Sequence, residues 1–323
     1  IVTNAGGLNP KAMADEVQAV IAELGLDATV AYIDGDDLVP RIEALSAAGE
    51  EFKNIDTGQA LTDAGTSLAT ANAYLGGWGI VEALKQGADI VICPRVTDAA
   101  LVIGPAAWKF DWARDDYDAL AGALAAGHVI ECGAQATGGN YSFFQEIPSF
   151  NNMGYPIAEI ERDGSFTITK HPGTGGLVSE GTVKAQLLYE ISTPAYLNPD
   201  VVSHFDTLTI KQTGPDRVRV SGCRGSTPPP THKVCVNIMG GYRNTMELLL
   251  TGLDIEEKAK IFSDALFESI GGRDKFDQVT EQLIRSDKTD PATNEQAFAS
   301  LKIDVKGSDP KLVGRIFSAK IVE

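Results

Sequence analysis

Apolar positions in the first hundred residues fall into short runs separated by amphipathic stretches. Ile1 to Asn4 reads as a short buried strand, and Ala5-Gly6-Gly7-Leu8 as a tight loop. Asn9 caps a helix that starts at Pro10, carries Met13, Val17, Val20 and Ile21 on one face, and stops at Gly25. Ala28 to Ile33 is the next strand, followed by Asp34-Gly35-Asp36-Asp37 and a helix near Leu38 to Ala48. Residues 50–70 are polar and irregular. Asn72 to Gln86 is predicted to be mostly helical, with Gly76-Gly77-Trp78-Gly79 kinking it or delaying its start. Ala88 to Cys93 has the continuous apolar character of a parallel strand. Pro94 to Asp98 breaks that strand, and Thr97 or Asp98 caps a helix into Trp108. A further helix is predicted from Asp115 to Ala126, ended by Gly127. Strand, loop, helix, strand is the order of a doubly wound α/β fold, here an open, mostly parallel Rossmann-like sheet. The three strands end at Asn4, Asp34 and Arg95, which would then share the edge where such sheets bind ligands.

After Tyr141 the pattern changes to alternation. Pro156 to Glu161 and Ser165 to Thr169 flank a hairpin turn at Arg162-Asp163-Gly164. A helix follows from Gly181 or Thr182 to Ile191, then a second hairpin around Thr213-Gly214-Pro215-Asp216 and a strand at Val234 to Ile238. Ile255 to Ile270 is an amphipathic helix, Gln278 to Ile284 and Ala297 to Val305 are strands, and Pro310 opens a last helix. The expected division is a doubly wound portion over residues 1–145 and an α+β portion with antiparallel hairpins over 146–323.

Composition narrows the function. The 323 residues carry 27 Lys and Arg against 44 Asp and Glu, a net charge of -17, which argues against a nucleic-acid or membrane surface and leaves open an acyl chain, a neutral small molecule or a local anion pocket. Cys93, Cys132, Cys223 and Cys235 form no zinc-like spacing and suit reduced thiols in a cytoplasm. The four histidines are isolated in sequence. No zinc or iron–sulfur centre is expected, while a hard divalent cation stays open. Ile1-Val2-Thr3-Asn4 reads as the inside of a sheet, and Ile321-Val322-Glu323 stops within a regular element, so the expectation is a chain that continues at both ends.

Two glycine-rich loops hold the candidate chemistry. Glu131-Cys132-Gly133-Ala134-Gln135-Ala136-Thr137-Gly138-Gly139-Asn140 comes first; Lys170-His171-Pro172-Gly173-Thr174-Gly175-Gly176 comes second, ahead of a helix amino end. Backbone N–H groups of Gly173, Thr174, Gly175 and Gly176, the helix dipole and the Lys170 ammonium are suited to an anion. His171 and Lys170 are the candidate proton-transfer groups, and Gln135 and Asn140 would orient a carbonyl. Arg95, with Asn4 beside it at the sheet edge, suits a carboxylate or phosphate. The alternative is that both loops are only tight packing turns. Asp34, Asp36 and Asp37 have no metal-ligand spacing and read as cap and surface, Asp98 as a helix cap, and Cys132 as a core cysteine. Neither Gly6-Gly7 nor Gly173–Gly176 matches a dinucleotide or Walker fingerprint.

The same stretches carry a family resemblance. Ile1 to Pro10, Cys132 to Asn140 and Lys170 to Gly176, with Gln186-Leu187-Leu188-Tyr189-Glu190-Ile191, Tyr196-Leu197-Asn198-Pro199-Asp200-Val201 and Gly225 to Lys233, resemble the acyclic terpene utilisation AtuA family over nearly the whole chain. The resemblance implies longer relatives and a place in the breakdown of citronellol- and geraniol-like compounds, beside enzymes of acyl-CoA metabolism. It carries over no catalytic residue. The expectation is therefore a cytoplasmic, homo-oligomeric enzyme of acyl-CoA, acyclic terpene or branched-chain catabolism, lyase- or hydratase-like, with a coenzyme A thioester as candidate substrate and no cofactor assigned, a hard divalent cation staying open. The alternative is a non-catalytic ligand-binding or complex-forming subunit.

Overall fold

A computed structural model describes residues 1–64 and 67–322. Along the chain, β1 (Val2–Thr3) leads to α1 (Pro10–Glu23), whose start is fixed by Asn9 accepting from the Ala12 N–H at 3.1 Å. Then come β2 (Val30–Tyr32), the short α2 (Ile42–Ala47), β3 (Leu68–Ala73), α3 (Trp78–Lys85), β4 (Ile90–Ile92) and α4 (Ala100–Phe110). β1, β4 and β2 form the expected parallel sheet in that order, with Val2 opposite Val91 and Tyr32 opposite Ile92. Gly6 is what lets α1 pack close: a Cβ there would stand 2.6 Å from the Cys93 carbonyl and 2.8 Å from Pro10. The run expected to be helical from Asn72 is strand to Ala73, and the glycines delay the helix to Trp78.

The parallel sheet stops at three strands, so the wide open sheet expected from the sequence is not what forms; the class is mixed α/β, and most strands pair antiparallel. After α4 the central place is taken by α5 (Tyr117–Ile130), in which every residue from Leu120 to Val129 is buried. Its small residues admit other backbones. A Cβ on Gly122 would collide with the Gly164 carbonyl, and one on Gly127 would lie 2.7 Å from the Ala99 Cα. Gly127 was expected to end this helix; it continues because the missing side chain is needed for that close approach.

The chain then adds β5 (Ile157–Ile160), β6 (Phe166–Thr169), α6 (Glu180–Leu187), β7 (Ala195–Leu197), β8 (Val202–His204), β9 (Thr209–Gly214), β10 (Arg217–Ser221), β11 (Arg224–Ser226) and β12 (Val234–Ile238). The hairpin predicted at 162–164 forms, with Ile160 opposite Phe166. β5-β6-β10-β9 and β11-β8-β7 are antiparallel sheets, and β12 pairs with β3. Leu120 and Leu124 of α5 share one core with Phe166, Ile168, Val218 and Val220, so this core draws on both sides of the expected boundary at 145–146.

The chain divides into two compact units, residues 1–64 with 68–237 and a second from Ile238 onward. The second holds β13 (Tyr242–Thr251), α7 (Ile255–Ile270), β14 (Gln278–Arg285), β15 (Phe298–Gly307) and α8 (Phe317–Val322). Its antiparallel sheet runs β13-β15-β14, and Leu301, Ile303 and Val305 of β15 share a core with Leu266 and Phe267 of α7 and Phe317 of α8. β13 escapes sequence reading because Met246-Glu247-Leu248-Leu249-Leu250 has the composition of a helix. Among the described residues no helix is long and apolar enough to cross a membrane.

Candidate functional site at the carboxyl edge of the parallel sheet

Beyond β4 the ladder continues for one step. The Leu75 N–H donates to the Arg95 carbonyl and the Thr97 N–H to the Leu75 carbonyl, both at 3.0 Å, in a parallel bridge between Leu75 and Val96. This fixes Tyr74 and Thr97. The Tyr74 N–H in turn donates to the Lys233 carbonyl at 2.9 Å, and His232 Nδ1 lies 3.3 Å from the Tyr74 carbonyl. At the end of β1, Asn4 Nδ2 donates to Asp98 Oδ1 at 2.8 Å. Asp98 is therefore not the helix cap expected of it. Ala99 occupies the cap position of α4 without a side-chain bond, and the Thr97 and Asp98 carbonyls take the Ala100 and Leu101 N–H groups.

Glu190, Tyr196 and Asn198 join Tyr74, Thr97 and Asp98 around a cavity of about 790 Å³, with apolar wall from Ile55, Leu197, Pro199 and Pro229. The position, outside the carboxyl ends of parallel strands, is where α/β sheets hold ligands. Two exposed cations stand on the Tyr74 ring, Arg95 at 5.4 Å and Lys233 at 5.6 Å from its centroid. Glu190 has a φ of 59°, in the left-handed region that a residue with a side chain seldom occupies.

Burial pushes the Tyr196 phenol up to about 12, and the Glu131 charge adds to it. The Asn198 amide leans towards that phenol, yet its N–H₂ has no hydrogen-bond partner of normal geometry within the protein; neither has Thr97 Oγ1. Asn198 is 3% exposed. Behind Tyr196 lies His128, wholly buried, its ring centroid 5.1 Å from Tyr196 and its Nδ1 3.2 Å from Glu131 Oε1 at an angle that makes no hydrogen bond. Asp200 braces the turn that carries Asn198. Its carboxylate accepts the Gly77 N–H at 2.8 Å ahead of α3, and burial pushes its pKa up to about 6 against the opposing pull of that bond and of Arg114 and His232. A Cβ on Gly76 would collide with this carboxylate.

Of the residues singled out in the sequence, Asn4 and Arg95 reach this edge, and Asp34 lies exposed just past β2. Asp36 is buried and accepts from Asn72 Nδ2 at 2.8 Å and the Arg95 N–H at 3.3 Å, while Asp37 accepts the Val39 N–H at 3.0 Å. Among the described residues no three His, Cys, Asp or Glu side chains converge as a metal site. The two glycine loops do meet, through the Leu177 N–H on the Thr137 carbonyl at 2.8 Å. Several of the second loop's donors are bonded within the protein. Lys170, buried, donates to the Thr174 carbonyl at 2.9 Å and sits 3.1 Å from Asp216; the Gly175 and Gly176 N–H groups go to the Asn152 and Ser149 carbonyls at 2.9 and 2.8 Å. His171, Gly173 and Asn140 are exposed. Gln135 is half-buried beside Cys132 and Glu131 in a separate depression of about 580 Å³. Cys132 is half-buried rather than a core residue; burial and then the Glu131 and Glu190 charges push its thiol up, which disfavours a nucleophilic thiolate.

Sequence reasoning missed Thr97, Glu190, Tyr196, Asn198, His232 and Lys233 as one group, because three distant segments supply them. The usable signal was the polar pair Asn198 and Asp200 about Pro199, inside the stretch that carries the family resemblance. Neither a curated protein nor a solved structure matches the chain. The family described as Acyclic terpene utilisation family protein AtuA matches residues 1–323, the whole chain, and the protein belongs to that family.

Proposed function

We propose that the protein is an enzyme of acyclic terpene or branched-chain catabolism that adds water to, or removes it from, a branched acyl chain carried as a coenzyme A thioester. The family's description supports the catabolic setting. The observation that carries the chemistry is a pair of carboxylates, Asp98 and Glu190, lining one cavity to which Ile55, Leu197, Pro199 and Pro229 give apolar wall. In the hydration direction one carboxylate takes a proton from water, the hydroxyl adds to the β-carbon, and the other carboxyl, protonated, gives its proton to the α-carbon. Arg95 and Lys233, held on Tyr74, supply positive charge for the phosphates of the carrier. On this reading Lys170 is a brace and His171 lies outside the chemistry.

The test is calorimetric titration with branched unsaturated acyl-CoAs, coupled to loss of the enoyl-thioester absorbance, in the wild type, Asp98→Asn, Glu190→Gln and His171→Ala. Turnover that survives both carboxylate changes sinks the proposal, and turnover lost in His171→Ala returns the chemistry to the glycine loop. Binding without turnover in the wild type favours a ligand-binding subunit instead. The same reading has the protein in the cytoplasm as a homo-oligomer. The free edges of β13 and β14, strands of ten and eight residues, support assembly, and a monomer mass by light scattering at micromolar concentration would reject it.

A further inference from the structure

Two buried polar atoms, in residues that line the cavity, need an explanation. Thr97 Oγ1 and Asn198 Nδ2 have no hydrogen-bond partner of normal geometry within the protein, although the Asn198 amide leans towards the Tyr196 phenol, and buried polar groups are otherwise nearly always paired. Both residues line the same cavity, together with Tyr196. Both are held rigidly. Thr97 is fixed by its bridge to Leu75, and Asn198 by a turn in which its N–H donates to the Val201 carbonyl at 3.2 Å while Asp200 ties that turn to Gly77. The amide N–H₂ can only donate, and the hydroxyl and the phenol can each donate. Asp98 and Glu190 in the same cavity disfavour a ligand that arrives as an anion at this point. The matching group is neutral, accepts hydrogen bonds, and gains charge as it reacts.

We propose that Thr97, Tyr196 and Asn198 form a carbonyl-binding site, donating hydrogen bonds to a thioester oxygen and to the enolate oxygen it becomes when the α-proton is exchanged. The inference rests on the acyl-thioester reading above and names the part of the substrate these residues hold. The phenol is protonated at neutral pH, burial having pushed its pKa up to about 12, so Tyr196 enters as a donor.

The experiment uses the N-acetylcysteamine thioester of a branched enoic acid, ¹³C-labelled at the carbonyl, so that the nucleotide of coenzyme A plays no part. In the wild type the infrared carbonyl band of the bound thioester is expected to move below its position in water. Thr97→Val, Tyr196→Phe and Asn198→Ala should each return it part of the way and lower turnover about 10²-fold, with affinity changed less than about tenfold. Thr97→Val preserves side-chain volume and serves where Asn198→Ala fails to fold. A wild-type band that stays at its value in water overturns the inference, as does a shifted band that neither Thr97→Val nor Tyr196→Phe moves. A shifted band in a protein that shows no preference for coenzyme A thioesters leaves the carbonyl site standing and overturns the coenzyme A reading alone.

Discussion

The glycine loop at residues 170–177 and the cavity beyond β4 are both rich in polar groups, and they use them in opposite ways. In the loop the Lys170 ammonium and the N–H groups of residues 175–177 end on carbonyls or on Asp216. In the cavity two buried donors have no protein partner of normal geometry, two carboxylates face shared space, and one carboxylate-bearing residue sits in an unfavourable backbone region. A polar group whose bonds are complete inside the protein contributes to holding it together; one whose bonds are incomplete is available to a ligand. Changes in the loop should therefore cost stability and spare chemistry, and changes in the cavity should do the reverse.

The sharpest way to break that contrast is Gly175→Ala. A Cβ there would collide with the Asn151 carbonyl and lie 2.8 Å from that of Ser149, both backbone atoms with little room to retreat. The expected loss is about 4 kcal/mol or more, read by chemical denaturation, and a near-neutral result would mean the loop is not a brace. Next is Asp200, the brace on the cavity side. Its folded pKa of about 6 lies above the ordinary value of 3.8, so its contribution is fully present below pH 4 and is lost as pH rises through about 6. Asp200→Asn keeps an acceptor for the Gly77 N–H and removes the ionisation. Its stability relative to the wild type should rise between pH 4 and 6, by up to about 3 kcal/mol, and a flat difference curve would refute the assignment. Asp98→Asn comes third, with turnover down about 10²-fold, or about 2.7 kcal/mol of transition-state stabilisation, and a melting temperature close to wild type because the amide oxygen still accepts from Asn4. The smallest of the four is Lys170→Met. It should cost about 2 kcal/mol, below the usual figure for a broken buried pair because Asp216 keeps contact with water, and should leave ligand affinity unchanged. Affinity lost in this variant would move the anion site back into the loop.

Much of the framework was legible in the residues. The β1, β2 and β4 runs, the turn at 162–164 and the stripe of α7 are local signals, and each formed where the pattern put it. What failed were places where a distant neighbour decided the outcome. Gly127 reads as a helix stop until Ala99 is seen to press against it, and residues 242–251 carry no assignment until β15 pairs with them. The site divides likewise. Asn4 and Arg95 could be placed because strand ends are readable; Asp98 could be placed but not interpreted, since its partner is 94 residues away. Lys170 drew attention by its setting among glycines, and no feature of the sequence announced that Asp216 would hold it. Glu190, Tyr196 and Asn198 carry no spacing that distinguishes a cavity wall from an ordinary turn.

The left-handed backbone at Glu190 has a consequence for how this protein can vary. Glycine at that position would relax the chain by about 1 kcal/mol, and asparagine by somewhat less. On the proposed chemistry, heat tolerance and activity pull position 190 in opposite directions. A library randomised there and sorted on heat tolerance alone should converge on glycine, and one sorted on growth with the substrate should return to glutamate. Recovery of glutamate from both would mean that the side chain earns its place through stability, whereas divergence would make the residue found at 190 a record of which demand a given lineage has met.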